Sequence, residues 1–559
     1  MTNELLSIKR VSFAYGDVEK PALSDICFSI MKGELVGIAG SAGAGKSTLI
    51  RCASGIVPQF FKGRFSGQVK VNGEPISGRR VSEMAGTVGT VFQDFESQLF
   101  STNVRRELAF GMENLCLNRD IMHRRINRIA QLLGLSDFME REPQSLSGGQ
   151  KQRLALASIL CLDPKLLLCD EPTTDLDPFA KNLLLDVLAA LVSSGNSVGL
   201  VTHDIERLIK TDRVIVMNDG SIVASGKATQ VFSDPQFCTD NGLFAPQIFS
   251  LFSLLGLPDR PVSIQNAKEV LDGEGYVLKK DIIFDETARS SGIPLITVEN
   301  VCHCYTPDLP VLEGISFEIR QGEFVCLLGR NGSGKTTLVK TFNAFLRPTS
   351  GQVFFKGIPV EKIGPSKMGK KIGFVFQNPD QMLFAENVFE ETVFGLRNYG
   401  ISEEEIPQRV SEALKTVGLK GTEDIDPFVM TKGDRQKLAV ACVLACEPEV
   451  IILDEPTTGL DAKEQISMME LLAELNREGH TLVIITHSAR IAAEYAHRIV
   501  ILDSGKIVGD GSTREILSKP DLLSRSSLIA PPCVRLGHMY GISVINVFEL
   551  ARAIEKEVP

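Results

Sequence analysis

The chain has 559 residues, of which 43% are hydrophobic and 23% charged, and its formal net charge is −10. This length and composition are typical of a globular protein of several domains, and the acidic balance disfavours a general nucleic-acid-binding role, which requires a basic surface. The N-terminus lacks the apolar core of a signal peptide and no run of about 18 uncharged apolar residues follows, so we expect any membrane role to be peripheral.

From the N-terminus onward, short apolar runs end in glycine-rich turns and lead into helical patterns, as residues 34–40 lead into residues 46–56. This alternation predicts α/β architecture with a mainly parallel sheet. The stretch around residues 115–140 has helical periodicity, and we expect it to form a helical subdomain inserted into the core.

The first glycine-rich turn matches the phosphate-binding pattern GxxxxGK[ST]. Its glycines let backbone N–H groups close around phosphate oxygens, and the next helix adds a favourable dipole. We expect the lysine to reach the β- and γ-phosphates and the following hydroxyl to bind Mg²⁺. Tyr15, which precedes the loop, is a candidate to stack on adenine. The predicted ATP-binding residues of this loop are Gly40, Ser41, Ala42, Gly43, Ala44, Gly45, Lys46, Ser47 and Thr48.

Polar side chains follow three later apolar runs. Gln93 is a candidate to bind the metal or water and to sense the nucleotide state. Asp170 ends a strand-like run, where a carboxylate is the expected Mg²⁺ partner, and the adjacent Glu171 is placed to polarise the attacking water. His203 follows the next run and is a candidate to contact the γ-phosphate or Glu171.

The second half of the chain repeats these motifs in the same order, which excludes a chance glycine-rich turn as the explanation of either loop. The second set of ATP-binding candidates is Tyr305, Gly329, Arg330, Asn331, Gly332, Ser333, Gly334, Lys335, Thr336 and Thr337. The predicted catalytic residues of the two halves are Glu171, Glu455, His203, His487, Gln93 and Gln377. The predicted metal-binding residues are Ser47, Gln93, Asp170, Thr336, Gln377 and Asp454.

One motif is not repeated faithfully. The first half contains a Leu-Ser-Gly-Gly-Gln segment at the start of a helical pattern, where a hydroxyl and free N–H groups can meet an anion. Its predicted nucleotide contacts are Ser147, Gly148, Gly149 and Gln150. The second half has Met-Thr-Lys-Gly-Asp at residues 430–434, in which Thr431 and Gly433 remain candidates for nucleotide contact. Lys432 places a long cation where glycine allows close approach, and Asp434 places a negative charge near a polyanion.

With these motifs in place, the chain resembles a tandem ATP-binding cassette ATPase. The resemblance implies an α/β fold of two P-loop NTPase domains, each with a RecA-like core, an inserted helical subdomain and a small C-terminal extension. It also implies ATP and Mg²⁺ as cofactors, and head-to-tail pairing in which each ATP meets the Ser-Gly-Gly-Gln-type segment of the other half. The expected domains are 1–235 and 293–517, with C-terminal extensions at 236–292, which includes the linker, and 518–559.

Within that family, the chain is most similar to the A component of energy-coupling factor importers of vitamins and metal ions. Residues 92–100 and 376–384 resemble the segment that follows the glutamine in those ATPases, and the tails 242–257 and 527–542 resemble their C-terminal extension. The resemblance implies an ATPase at the cytoplasmic face of the cell membrane that powers import of a small solute. Integral membrane subunits are expected to dock near 94–100 and 378–386, and nucleic acid is not an expected partner. The candidate acidic contacts are Asp94, Glu96, Asp380 and Glu386.

Head-to-tail pairing gives the altered segment a consequence. The nucleotide on Lys335 would meet the intact Ser147 segment, whereas the nucleotide on Lys46 would meet the altered one. We therefore expect faster turnover at the site containing Lys335, although a normally working Thr-Lys-Gly-Asp segment remains an alternative.

Two other functions share these motifs. Soluble tandem cassette factors that act on the ribosome are similar in size, but they usually carry a long charged helical linker and two intact signature segments. Fused ATPases of sugar importers also match, although the segments after Gln93 and Gln377 fit the vitamin and metal group better. The transported substrate is not encoded in any motif of this chain.

Overall fold

The computed structural model describes residues 3–16, 20–173, 178–279, 282, 284, 292–306 and 309–557. The chain divides into two compact units, Met1–Val262 with Asp461–Lys463, and Ser263–Leu460 with Glu464–Pro559. Residues 174–177 of the repeated Asp-Glu segment, and most of the predicted linker between 280 and 291, lie outside the described residues.

The first unit contains a six-stranded sheet in which all neighbouring strands are parallel except one edge pair. Its central strands are buried at nearly every position, which explains why their sequences are continuous apolar runs rather than alternating ones. In spatial order the strands are Ser221–Gly226, Arg213–Asn218, Leu35–Gly40, Ser197–Val201, Leu166–Asp170 and Val88–Val91. An antiparallel sheet of the same unit has the order Leu23–Met31, Glu4–Tyr15, Gly63–Val71 and Glu74–Pro75.

The second unit repeats both sheets. The mainly parallel sheet has the order Ile372–Val375, Val450–Asp454, Thr481–Ile485, Phe324–Leu328, Arg498–Asp503 and Lys506–Ser512. The antiparallel sheet has the order Leu309–Arg320, Pro294–Thr306, Ser350–Phe355 and Ile358–Pro359. Because parallel strands end at one edge of a sheet, the motifs that follow these strands are gathered at that edge in each unit.

Helices surround each parallel sheet, and the predicted inserted helical subdomain is present in both units. In the first half the helices are Lys46–Ala53, Ile56–Gln59, Val81–Met84, Val104–Asn114, Arg119–Leu132, Gly148–Cys161, Pro178–Ser193, Ile205–Leu208, Ala228–Val231, Pro235–Asp240, Gln247–Leu254 and Ile264–Gly273. In the second half they are Lys335–Phe342, Val360–Ile363, Pro365–Gly369, Val388–Asn398, Ile406–Thr416, Lys432–Leu444, Ala462–Arg477, Ala489–Tyr495, Thr513–Leu517, Pro520–Arg525, Pro532–Met539 and Val547–Ala553. Short 3₁₀ helices occur at Glu96–Gln98, Ser136–Phe138, Pro143–Ser145, Pro379–Gln381 and Pro427–Val429. The predicted fold class is thus confirmed.

The two C-terminal tails contain equivalent helices, Gln247–Leu254 and Pro532–Met539. The chain that follows the first tail joins the second unit, where strand Tyr276–Leu278 pairs antiparallel with Ile554–Lys556. Tyr540 also donates a hydrogen bond of 2.9 Å to Asp272. The domain limits expected from the sequence stay predictions.

Candidate active site

The two phosphate loops have the same geometry. Lys46 Nζ donates to two carbonyl oxygens of its own loop at 2.9 and 2.7 Å, and Lys335 Nζ does so at 2.7 and 2.8 Å. Glycine is required at the first position of each loop, since a Cβ on Gly40 or Gly329 would collide with a backbone carbonyl of the neighbouring strand. Both glycines also have φ values, 144° and 151°, that other residues rarely adopt. Each loop therefore presents a nearly buried ammonium group and the start of a helix to an anion.

A carboxylate stands beside each loop at the end of a buried strand. In the second unit, Thr336 Oγ1 donates to Asp454 Oδ2 at 2.7 Å, and burial raises the pKa of Asp454 to about 6. In the first unit, burial likewise raises the pKa of Asp170, while a hydrogen bond from Ser47 opposes this shift. Asp170 Oδ1 is buried without a hydrogen-bond partner. A desolvated carboxylate with an unused oxygen beside a hydroxyl is a donor set that fits Mg²⁺.

The glutamate after each aspartate contacts the predicted histidine. Glu171 Oε1 lies 2.8 Å from His203 Nε2, and Glu455 Oε1 lies 2.8 Å from His487 Nδ1. Both glutamates have positive φ values, 50° and 48°, which is uncommon for a residue with a side chain. Their backbone N–H groups are nevertheless satisfied by carbonyls of the next strand. The strained backbone fixes both carboxylates at the same edge as the phosphate loop.

The predicted glutamine and tyrosine contacts occupy equivalent positions in the two units. Gln93 and Gln377 are exposed just beyond the strands Val88–Val91 and Ile372–Val375. The hydroxyl of Tyr15 lies 3.1 Å from Thr48 Oγ1, and that of Tyr305 lies 3.3 Å from Thr337 Oγ1.

The first unit has an aromatic group that sequence reasoning missed. The ring of Phe61 lies edge-on to Tyr15 with centroids 6.1 Å apart, and Arg51 lies 4.9 Å above the Phe61 ring. Arg51 also donates to the Tyr15 hydroxyl at 3.2 Å. The exposed Phe60–Phe61 pair was the available signal, because two adjacent exposed phenylalanines have no role in packing a core.

The Leu-Ser-Gly-Gly-Gln segment at residues 146–150 and its counterpart at residues 430–434 (hereafter the signature segments) begin their helices differently. Ser147 and Gln150 form a reciprocal cap in which Ser147 Oγ accepts from the Gln150 N–H and Gln150 Oε1 accepts from the Ser147 N–H. In the second unit, Thr431 Oγ1 accepts from the Asp434 N–H at 3.1 Å and donates to the Asp434 carboxylate at 2.8 Å. The Lys432 ammonium lies against Gly459 of the same unit. The second segment therefore keeps the helix cap but commits the threonine proton to an added carboxylate.

The turns that follow Gln93 and Gln377 (residues 94–101 and 378–385, hereafter the post-glutamine turns) are alike in both units. Glu107 Oε2 accepts from the N–H groups of residues 100 and 101 at 3.1 and 2.8 Å, and Glu391 Oε2 accepts from residues 384 and 385 at 2.7 and 2.6 Å. Both glutamates are buried. Of the predicted acidic contacts, Asp94 caps its own turn and Glu386 is exposed, whereas Glu96 and Asp380 pair with cations of the signature helices.

Each post-glutamine turn also contributes one ring to an exposed aromatic pair. Phe100 packs edge-on against Phe110 with centroids 4.5 Å apart, and Phe384 packs in the same way against Phe394 at 4.7 Å. The four side chains are 61%, 43%, 59% and 51% exposed. Sequence reasoning missed the second member of each pair, which lies on the next helix.

Each unit has a P-loop core with an aspartate, a glutamate and a histidine at one edge of its parallel sheet. This duplicated arrangement defines a tandem nucleoside triphosphatase of the ATP-binding cassette class. The chain belongs to the ABC transporter family, because the family model of that description matches residues 23–174 and 312–458. It is accordingly an ATPase that uses ATP and Mg²⁺. Among the described residues, no helix has the length and apolar character needed to cross a membrane.

Full-length relatives agree with the family. A protein of Caldanaerobacter subterraneus subsp. tengcongensis, provisionally named an ABC transporter ATP-binding protein, is 40% identical over 570 residues and both chains are covered completely. A Methanosarcina acetivorans protein with the same provisional name is 34% identical, over 96% of this chain and 90% of that one. A solved structure of cbiO1 from Clostridium perfringens, described as part of the ABC transporter complex cbiONQ, is 35% identical. It covers 44% of this chain and 99% of that chain, with a TM-score of 0.39.

Proposed function

We propose that this ATPase powers import of a small solute, such as a vitamin, a vitamin precursor or a metal ion, as an energy-coupling factor A component bound at the cytoplasmic face of the membrane. The observation that carries the proposal is the exposed aromatic pair on each post-glutamine turn. These pairs lie within or beside the segments where the sequence predicts membrane subunits to dock.

Exposed aromatic pairs of this kind suit a protein interface. Phenylalanine buries a large apolar area, and a packed pair of rings presents a rigid surface with little side-chain freedom left to lose. The buried Glu107 and Glu391 carboxylates fix the backbone of both turns, so the rings are presented on a stable support. An apolar helix from a membrane subunit is the partner that fits such a surface.

The chemistry at each loop follows from the residues at the sheet edge. Lys46 and Lys335 recognise the β- and γ-phosphates. Ser47 with Asp170, and Thr336 with Asp454, would hold Mg²⁺, which when bound neutralises charge on the phosphates. Gln93 and Gln377 are proposed to bind the metal or water.

Glu171 and Glu455 orient and polarise the attacking water. His203 and His487 hold these carboxylates in place through the contacts of 2.8 Å.

The tandem arrangement supports intramolecular head-to-tail pairing, in which each nucleotide is completed by the signature segment of the other half. Under this proposal Ser147 and Gln150 complete the site of Lys335, and the altered Thr431 segment completes the site of Lys46. The two sites then turn over ATP unequally.

Affinity capture from detergent-solubilised membranes tests the import proposal. The wild-type chain should retain an integral membrane protein that stimulates its ATPase activity when added back. The double variant Phe100→Ala/Phe384→Ala should lose most of this capture, whereas Phe548→Ala, which removes another exposed phenylalanine, should not. Co-sedimentation with ribosomes instead of capture of a membrane protein would reverse the assignment.

A further inference from the structure

In both units an ion pair joins the post-glutamine turn to the signature helix. Glu96 Oε1 lies 2.8 Å from Lys151 Nζ, and Asp380 Oδ1 lies 2.7 Å from Arg435 Nε. The cationic side chains are only 14% and 18% exposed, while the acidic side chains are half exposed. Each cationic side chain is therefore mostly covered by the protein, and its charged end contacts an acidic side chain of the post-glutamine turn.

The two pairs are equivalent in position but not in residue type. Glu96 and Asp380 are the fifth residues of the matching segments 92–100 and 376–384, and Lys151 and Arg435 each come directly after the five-residue signature segment. The longer acid is paired with lysine, and the shorter acid with the longer-reaching arginine. This complementary exchange keeps the contact although both partners have changed.

The ion pair is present in both halves, whereas the neighbouring residues that are predicted to contact phosphate differ between the halves. Gly148 and Gln150 of the first signature correspond to Lys432 and Asp434 of the second. The ion pair therefore serves something that both halves share and that does not depend on an intact signature. Because the acidic partner of each pair is about half exposed to solvent, we expect the pair to add little to folding stability, and its shared role is better sought in the positioning of the two segments.

Both ends of the second pair are fixed. The turn is held by the Glu391 carboxylate, and Arg435 Nη1 donates to the carbonyl of Met430 at 2.7 Å, just before the signature helix begins. A displacement of the turn would thus be passed to the segment that contacts nucleotide.

We propose that the two ion pairs link the post-glutamine turn of each half to the start of its signature helix. The positioning residues are Lys151 and Arg435 on the helices, with Glu96 and Asp380 on the turns. This inference rests on the proposed function, because the turns are taken as the docking place of membrane subunits. The link itself acts within the isolated chain and can be measured there.

The test uses the purified full chain and steady-state ATPase assays. Glu96→Gln and Lys151→Met should each lower kcat at least fivefold and change the KM for ATP less than twofold, because the phosphate loops are untouched. The charge-exchanged double variant Glu96→Lys/Lys151→Glu should recover at least half of the wild-type kcat. Arg409→Met breaks two ion pairs of a mostly buried arginine in the helical subdomain of the second unit and should leave kcat unchanged.

Hydrogen exchange supplies a second readout that a merely local role would not move. In Glu96→Gln, amides at residues 146–151 should exchange faster, although the substitution lies in the turn. Unchanged kcat in both single variants, or faster exchange confined to residues 94–101, overturns the link. Failure of the wild-type chain to capture a membrane protein refutes the import proposal instead, and leaves these measurements on the isolated chain to stand.

Discussion

Restoring the second signature should accelerate hydrolysis at the first phosphate loop. The double substitution Lys432→Gly/Asp434→Gln converts the altered segment to Thr-Gly-Gly-Gln. It removes the Asp434 carboxylate that now accepts a hydrogen bond from the Thr431 hydroxyl. It also removes the long cation that lies against Gly459.

The expected gain comes mainly from relief of charge repulsion. Two like charges about 4 Å apart repel by about 1 kcal/mol in water and about 4 kcal/mol at an effective dielectric constant near 20. Asp434 is half-buried and its repulsion is partly offset by Lys432, so we take the lower end of this range. A barrier lower by about 1–2 kcal/mol corresponds to a rate roughly 5- to 30-fold higher.

The assay isolates one site at a time. In a Glu455→Gln background, the remaining steady-state rate comes from the loop that uses Glu171, and the double substitution should raise it. In a Glu171→Gln background the same substitutions should change the rate less than twofold, because under the proposed head-to-tail pairing the remaining site would be completed by Ser147. No increase in the first background would refute the assignment of the altered segment as the cause of unequal turnover.

Three further predictions follow from the site geometry. Glu391→Ala removes the side chain that accepts hydrogen bonds from the backbone N–H groups of residues 384 and 385. It should lower the free energy of unfolding by about 2–4 kcal/mol, seen as a lower urea midpoint. Glu390→Ala, which removes a half-exposed side chain, should shift the midpoint little. Burial raises the pKa of Asp454 to about 6, so the folded protein holds this proton more tightly than the unfolded chain. Stability of the nucleotide-free protein due to Asp454 should therefore fall as the pH rises from about 4 to 6, by at most about 3 kcal/mol, and Asp454→Asn should flatten this dependence of Tm on pH. Phe61→Ala in the Glu455→Gln background should raise the KM for ATP about 2- to 10-fold through loss of an aromatic contact worth about 0.5–1.5 kcal/mol, while Phe60→Ala should not.

The parts of the site that follow buried strands are predictable from sequence. Asp170, Glu171 and His203 each come directly after an apolar run, and parallel strands deliver their ends to one edge. The glycine-rich loops are predictable because few residues can adopt their backbone. What sequence reasoning misses is contact between separated segments, such as Phe100 with Phe110, whose pairing depends on how a turn meets the next helix.

Long-range strand pairing is missed for the same reason. Residues 276–278 carry no signal that they pair with residues 554–556, since a three-residue strand has too few side chains to define a pattern. The tails 242–257 and 527–542 are predicted only as C-terminal extensions, and the helices Gln247–Leu254 and Pro532–Met539 within them are a finding of the structure.

The pattern of divergence between the halves separates two functions of each domain. The lysine, aspartate, glutamate and histidine that we propose to hold and hydrolyse ATP are present in both halves, and so are the aromatic pairs and the turn–helix ion pairs. Among these repeated motifs, the second signature segment is the one that has changed, at Lys432 and Asp434. If docking and hydrolysis were one inseparable function, a half that had lost part of its hydrolytic contribution would be free to lose its docking surface as well. Retention of Phe384, Phe394 and the Asp380–Arg435 pair beside an altered signature therefore supports the proposal that both halves bind a membrane partner. Under the same proposal, the complete signature of the first half would support most of the ATP turnover.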